Sequence, residues 1–309
     1  MVYSDIKSFI TTHLEEIATR QRHSISGHWP SDQDVTTILK KTAGLFIVAA
    51  VIMRFIDSLF ASPQKRLKLI IDLPKSTIYE GKSGINVVYH QILSVSLENA
   101  DEDDPDFYNQ LHLVVGSIVI ALKSLPHADI ADILEMTLEN IWTILTHLHL
   151  VLIVPESTTE PIRILHKSFA DFITNNQRCS DGRYSIDAPA HHSVLGGRCL
   201  KLMETRLMKN ICRLLRYAMN GDINDLPVQQ ERYIGSPLSY ACSSWAKHLQ
   251  LSPKVGTNSC TIRRILNDFF TYYLLSWLEV LSTKANFHIA IYSLHDVRLW
   301  LTDVSILYC

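Results

Sequence analysis

Residues 150–174, LVLIVPESTTEPIRILHKSFADFIT, constrain the fold more than any other stretch of this 309-residue chain. Residues 150–154 are a short apolar run rich in β-branched side chains, and Pro155 ends it. Proline cannot donate to a strand ladder, so pairing stops there. Polar residues 156–160 and Pro161 make the turn, and residues 162–165 form a second run with alternating faces. Two short strands around a proline-bounded polar loop predict a β-hairpin. Phe169, Phe172 and Ile173 then fall at i, i+3 and i+4, the spacing of an apolar helix face. A helix is therefore expected to begin where the hairpin ends, with Ser168 as its N-cap and Asp171 as capping partner.

Upstream, helical periodicity dominates. Residues 3–22 carry Ile6, Phe9, Ile10, Leu14 and Ile17 at helical spacing. Residues 26–31 contain Gly27, Trp29 and Pro30 and read as a loop, after which Asp32 or Asp34 opens a helix through Val35, Ile38 and Leu39. Gly44 precedes the most apolar helix, residues 45–60, which is apolar almost all round and so belongs at a centre. Residues 67–73 read as a short helix stopped by Pro74, and residues 75–84 as a polar linker. Helices are then expected over 85–97, 111–122, 127–134 and 138–148, with the acidic run 101–106 as a loop leading into the second of them. Helix, helix, short helix, helix and hairpin complete the order of a winged helix from about residue 85 to 173.

Beyond the irregular stretch 178–189 the pattern is again helical, over 191–207, 210–218, 238–248, 262–283 and 287–300, without a fixed-period repeat. Residues 304–309 remain apolar with no helix stop, as in a truncated product or a docked terminal segment. The expected fold class is mainly α: a helical subdomain over 1–75, a winged helix with one β-hairpin over 76–178, and an α-helical superdomain over 179–309. A chain of this length exceeds one small core and suggests two or three subdomains.

Composition narrows the function classes. Apolar residues are 47 % of the chain, mean hydropathy is +0.08 and net charge is −2, which favours a packed globular protein and gives no reason to expect a polyanion partner. Six cysteines form no CxxC pair, no Asn-x-Ser/Thr acceptor is present, and Met1 leads into a charged amphipathic helix rather than a signal peptide. A reducing, cytoplasmic setting is expected. The longest apolar run, residues 43–53, stops at Arg54, short of the ~18 residues a span requires, so no membrane span is expected.

Each candidate chemistry meets an objection. Gly81-Lys82-Ser83 resembles the end of a P-loop, but Ser76 stands where the first glycine belongs and residues 75–80 are polar, so a linker is expected. A winged helix invites DNA binding, yet no Lys or Arg lies between Lys123 and Arg163, while Asp129, Asp132, Glu135, Glu139, Glu156 and Glu160 do. Phosphate contacts need cations, so no nucleic-acid partner is expected. Cys179, His191, His192 and Cys199 fit no standard zinc spacing, and no metal site is expected. No G-x-S-x-G elbow or H-E-x-x-H is present, and no catalytic residue is proposed. His166 stands apart, because a side chain at a strand–helix junction can point out of the core.

Several segments taken in order carry a resemblance: residues 43–50 with Arg54-Phe55-Ile56, then Val88-Tyr89-His90-Gln91-Ile92-Leu93, then residues 163–173 (RILHKSFADFI), residues 200–212 (LKLMETRLMKNIC), residues 240–249 and residues 277–282. Together they resemble the region that follows the nucleotide-binding core in fungal NACHT-type STAND NTPases, the fungal NLR-like proteins, in which LHxSFxDFL corresponds to Leu165–Phe172 and the residue after it. The resemblance implies a helical lid over 1–75, the winged helix and a helical scaffold beyond. It implies that His166 is a nucleotide sensor beside the phosphate of ADP, and that Gly44, with Leu45 and Phe46, lies near the base. Phe46 replaces the proline found in many relatives. No Walker A, Walker B or sensor strand is present, so the chain is not expected to be an enzyme by itself. It has no cofactor of its own; ADP or ATP with Mg²⁺ enters only with a P-loop core, supplied in cis or in trans. The expected partners are proteins, either such a core or oligomer partners.

Overall fold

The computed structural model describes residues 2–27, 29–57, 62–73, 84–98, 100, 106–214, 225–253 and 259–305. The chain divides into two compact units. Unit 1 comprises Met1–Asn109, Ile144–Val154 and Arg163–Ile186, and unit 2 comprises Gln110–Thr143, Pro155–Ile162 and Asp187–Cys309. The described residues are mainly helical, with a single antiparallel hairpin, and none of their helices is long and apolar enough to cross a membrane.

Unit 1 starts with α1 (Val2–Arg20), which buries Ile6, Ile10, Leu14 and Ile17 along one face. Helix α2 (Asp32–Lys41) opens on a full capping box: Ser31 Oγ accepts the Asp34 amide at 3.1 Å, and Asp34 Oδ2 accepts the Ser31 amide at 3.0 Å. Two orphan donors of the first turn are thereby satisfied. Helix α3 (Phe46–Ile56) is the expected central helix, with Val48, Ala49, Val51, Ile52, Met53, Phe55 and Ile56 all buried. Helix α4 (Pro63–Ile71) starts earlier than periodicity suggested, because Pro63 occupies a first-turn position where its missing N–H costs nothing. The buried Arg66 of α4 donates to the Phe55 carbonyl at 2.8 Å and lies 4.8 Å over the Phe55 ring. Helix α5 (Gly84–Ser96) packs on α3. The Gly81-Lys82-Ser83 linker lies outside the described residues.

Helices α6 (Phe107–Ile120), α7 (His127–Leu134) and α8 (Leu138–His147) lead to the hairpin in the expected order. Strands β1 (Leu152–Ile153) and β2 (Arg163–Ile164) pair Leu152 with Ile164 and Ile153 with Arg163. They are two residues each, shorter than the five and four expected. The Ile162 amide explains part of this, since it donates to the Leu125 carbonyl at 2.9 Å instead of to β1. Arg54 of α3 anchors the hairpin by donating to the Leu152 carbonyl at 3.1 Å. Helix α9 (Lys167–Ile173) follows and buries Phe169, Phe172 and Ile173 as predicted.

Unit 2 is built on α10 (Ala188–Arg206), α11 (Leu226–Tyr233), α12 (Gly235–Leu251), α13 (Ser259–Asp268), α14 (Leu274–Thr283) and α15 (His288–Ser305). Helix α12 lies between α10 and α15. The long helix expected over 262–283 is interrupted by a π-helical stretch, Phe269–Tyr273. Eight positions apart on an α-helix, Phe269 and Trp277 would diverge by about 80°. The wider π turn takes up that rotation, and both rings pack on Trp245, at centroid distances of 4.8 and 5.8 Å. The helix expected over 210–218 does not form in its described part, where Asn210 and Arg213 have φ of 52° and 53°. The Asn210 side chain instead accepts the Leu214 amide at 2.7 Å.

Candidate functional site

His166 occupies the end of β2 and the start of α9, and it corrects the expected capping. The N-cap is His166 itself, in extended backbone geometry (φ −154°, ψ 142°), not Ser168. Its Nδ1 accepts the Ser168 amide at 3.2 Å, as a serine or aspartate oxygen does at an ordinary N-cap. Ser168 lies inside the first turn. Its hydroxyl sits 2.8 Å from the same Nδ1 and 2.9 Å from the hydroxyl of Tyr89 on α5. A partner 79 residues away in sequence has therefore claimed the side chain that local rules assigned to the cap.

The arrangement is asymmetric in burial. Tyr89 is fully buried, with its ring 5.3 Å from Phe169 in an edge-on contact and 5.5 Å from Phe172. Burial pushes the Tyr89 phenol up from its ordinary pKa, which keeps it an O–H donor. His166 and Lys167 are exposed, and the imidazole Nε2 makes no hydrogen bond among the described residues. The chain Tyr89–Ser168–His166 thus runs from the unit 1 core to its surface.

Gly44 lies in the turn between α2 and α3. It has φ +76°, beside Ala43 at φ +49°, a left-handed pair that reverses the chain. A Cβ at Gly44 would meet the Tyr3 ring at 3.3 Å. Phe46, the first residue of α3, is half exposed and packs on Phe9 with ring centroids 4.7 Å apart. Gly44 and His166 belong to the same unit, but their contacts share no residue.

The structure disperses the four residues weighed for metal. Cys179 is in unit 1, buried, with its thiol pushed up to about 11 by desolvation. In unit 2, His191 Nε2 lies 3.2 Å from the Leu113 carbonyl, so this nitrogen is the protonated donor. His192 Nδ1 lies 2.8 Å from His248 Nδ1, and His248 Nε2 lies 2.8 Å from the Tyr240 hydroxyl, which also accepts the Leu122 amide at 3.3 Å. Cys199 is fully buried, and desolvation raises its thiol. Among the described residues no group of three or more His, Cys, Asp or Glu side chains is placed to hold a metal ion.

Sequence reading missed Tyr89 as a partner of Ser168 beside His166, and His248 as a partner of His192. No local signal marks such pairs, because each joins helices far apart in the chain. Compared with known proteins, the chain matches no protein-family model, no curated protein and no solved structure.

Proposed function

We propose that this chain is a non-catalytic regulatory part of a STAND-type signalling protein of the NACHT class, supplying the lid and winged-helix side of a nucleotide switch. The observation that carries the reading is His166. It is an exposed imidazole fixed at a strand–helix junction by its own helix cap, directly after a hairpin and within RILHKSFADFI. Nothing in the cap occupies its outward nitrogen. Packed against a P-loop core, that nitrogen donates to a phosphate oxygen of bound ADP and biases the switch toward its closed state, and Gly44 lies on the lid side of the same nucleotide. The 309 residues contain no Walker A sequence, so charge stabilisation for hydrolysis has to come from the core. The setting we assign is the cytoplasm, and the partners are proteins rather than nucleic acid.

The test uses the full chain and a separately purified NACHT core loaded with labelled ADP. The chain is expected to slow ADP release, and His166→Ala is expected to abolish about 10-fold or more of that slowing, the usual worth of a hydrogen bond to a charged oxygen. Tight binding of Mg²⁺-ATP by the chain alone, or ADP release indifferent to the chain, overturns the reading.

A second reading is a helical interaction scaffold without a nucleotide role. The observation that favours it is the exposure of Tyr272, Leu275, Ile291 and Tyr292 in unit 2, each about two-thirds or more accessible at 72, 79, 67 and 68 %. Exposed apolar side chains mark a contact surface where they adjoin one another. It gains if partner capture is lost with charged substitutions at these positions while His166→Ala has no effect.

A further inference from the structure

We infer that Tyr89 and Ser168 are positioning residues that select the Nε2–H tautomer of the neutral His166 ring, so that the site presents an N–H donor at Nε2 to a phosphate oxygen. This deepens the nucleotide reading above and rests on it only for the identity of the ligand; the protonation pattern follows from the site alone.

The Ser168 amide is a donor and can be nothing else, so Nδ1, 3.2 Å away, has to accept and carries no proton. Ser168 Oγ lies 2.8 Å from that nitrogen, so its hydroxyl hydrogen is directed there as a second donation. With its proton committed, Ser168 Oγ receives its remaining hydrogen bond from the Tyr89 hydroxyl at 2.9 Å. Each O–H in the series points outward, from the fully buried Tyr89 through Ser168 to the exposed ring. A neutral imidazole unprotonated at Nδ1 is protonated at Nε2.

The experiment is a two-bond ¹H–¹⁵N correlation spectrum of the full chain labelled with ¹⁵N-histidine, at about pH 8, where ordinary imidazoles are neutral. Signals of His166 are assigned by their loss in His166→Ala, and the exposed His23 serves as the internal reference for a solvated ring. The expected result is a single Nε2–H tautomer at His166. Ser168→Ala and Tyr89→Phe are each expected to move the tautomer ratio toward that of His23, by about 5-fold for one ordinary hydrogen bond. Ser168→Thr, which keeps the hydroxyl, is expected to restore the wild-type ratio. A His166 ring protonated at Nδ1 overturns the inference, as does a wild-type ratio equal to that of His23 or one unmoved by Ser168→Ala. The spectrum contains neither core nor nucleotide. Failure of the ADP-release test therefore leaves it standing, and failure of the spectrum leaves the ADP-release test to be judged separately.

Discussion

Gly116 on α6 illustrates how one residue can be fixed by a partner that its neighbours do not reveal. A Cβ built there would lie 2.3–2.5 Å from three ring atoms of His191, closer than atoms approach without displacement. The His191 ring is buried and held to the Leu113 carbonyl, so it has little freedom to retreat. Gly→Ala within a helix ordinarily stabilises by roughly 0.5–1 kcal/mol. Here overpacking of the kind that costs about 1–3 kcal/mol opposes it. Gly116→Ala is expected to lower the urea midpoint of the full chain, and His191→Ala in the same chain is expected to recover part of the loss. A rise in midpoint for Gly116→Ala alone would show that His191 yields easily. The same logic governs His166. The buried face of its helix, Phe169 and Phe172, was evident from helical spacing, whereas Tyr89, which meets the Ser168 hydroxyl beside it, was not, since spacing along the chain reports a face and not what covers it.

At the scale of single elements, local rules succeeded where the interactions are themselves local. The start of α2 is one case: Ser31 and Asp34 are three residues apart, and their reciprocal bonds need no tertiary help. Ser31→Ala removes the side-chain half of that box and is expected to cost about 1 kcal/mol. Thermal denaturation followed by circular dichroism checks it, and an unchanged midpoint would mean that α2 is held by packing alone. Local rules failed at Phe269–Tyr273, where a continuous helix was expected and a π turn is found. Its cause is the Trp245 ring on α12, against which both Phe269 and Trp277 pack. Trp277 is also fixed by its indole N–H, which donates to the Cys242 carbonyl at 2.8 Å. Trp277→Ala is expected to cost about 3–5 kcal/mol, the range for emptying a buried aromatic site. A loss below about 1 kcal/mol in a chemical denaturation series would show that the aromatic cluster closes over the gap.

For the whole molecule, the buried histidines tie stability to pH. Desolvation depresses His192 to about 4 and His248 to about 3, each below the ~6.5 of an unfolded imidazole. His191 lowers both rings further and His192 also lowers His248, while Tyr240 beyond them is itself raised by burial. As pH falls below about 6.5 the unfolded chain binds protons that the folded chain refuses, so stability declines, and it goes on declining until the folded pair titrates near 4 and 3. Protonating both rings would also set two N–H groups face to face across the 2.8 Å contact between α10 and α12. Urea midpoints are expected to drop steadily from about pH 7 to about pH 4.5, with a shallower slope in His248→Gln. A profile unaffected by that substitution would mean that other groups set the acid limit.

Taken alone, the sequence determined the mainly helical class, the single hairpin, the central α3 and the buried face of α9, because these follow from hydrophobic period, proline placement and turn composition, all of which are short-range. It also marked His166 as a side chain at a junction. What only the tertiary structure decided is which distant groups meet these local features. Leu125 takes the Ile162 amide that the hairpin would use, Tyr89 meets the Ser168 hydroxyl, and Trp245 receives the rings of Phe269 and Trp277 on either side of a π turn. Each is a contact across many residues, and such contacts are selected by the shape of the folded core rather than by the order of residues near them.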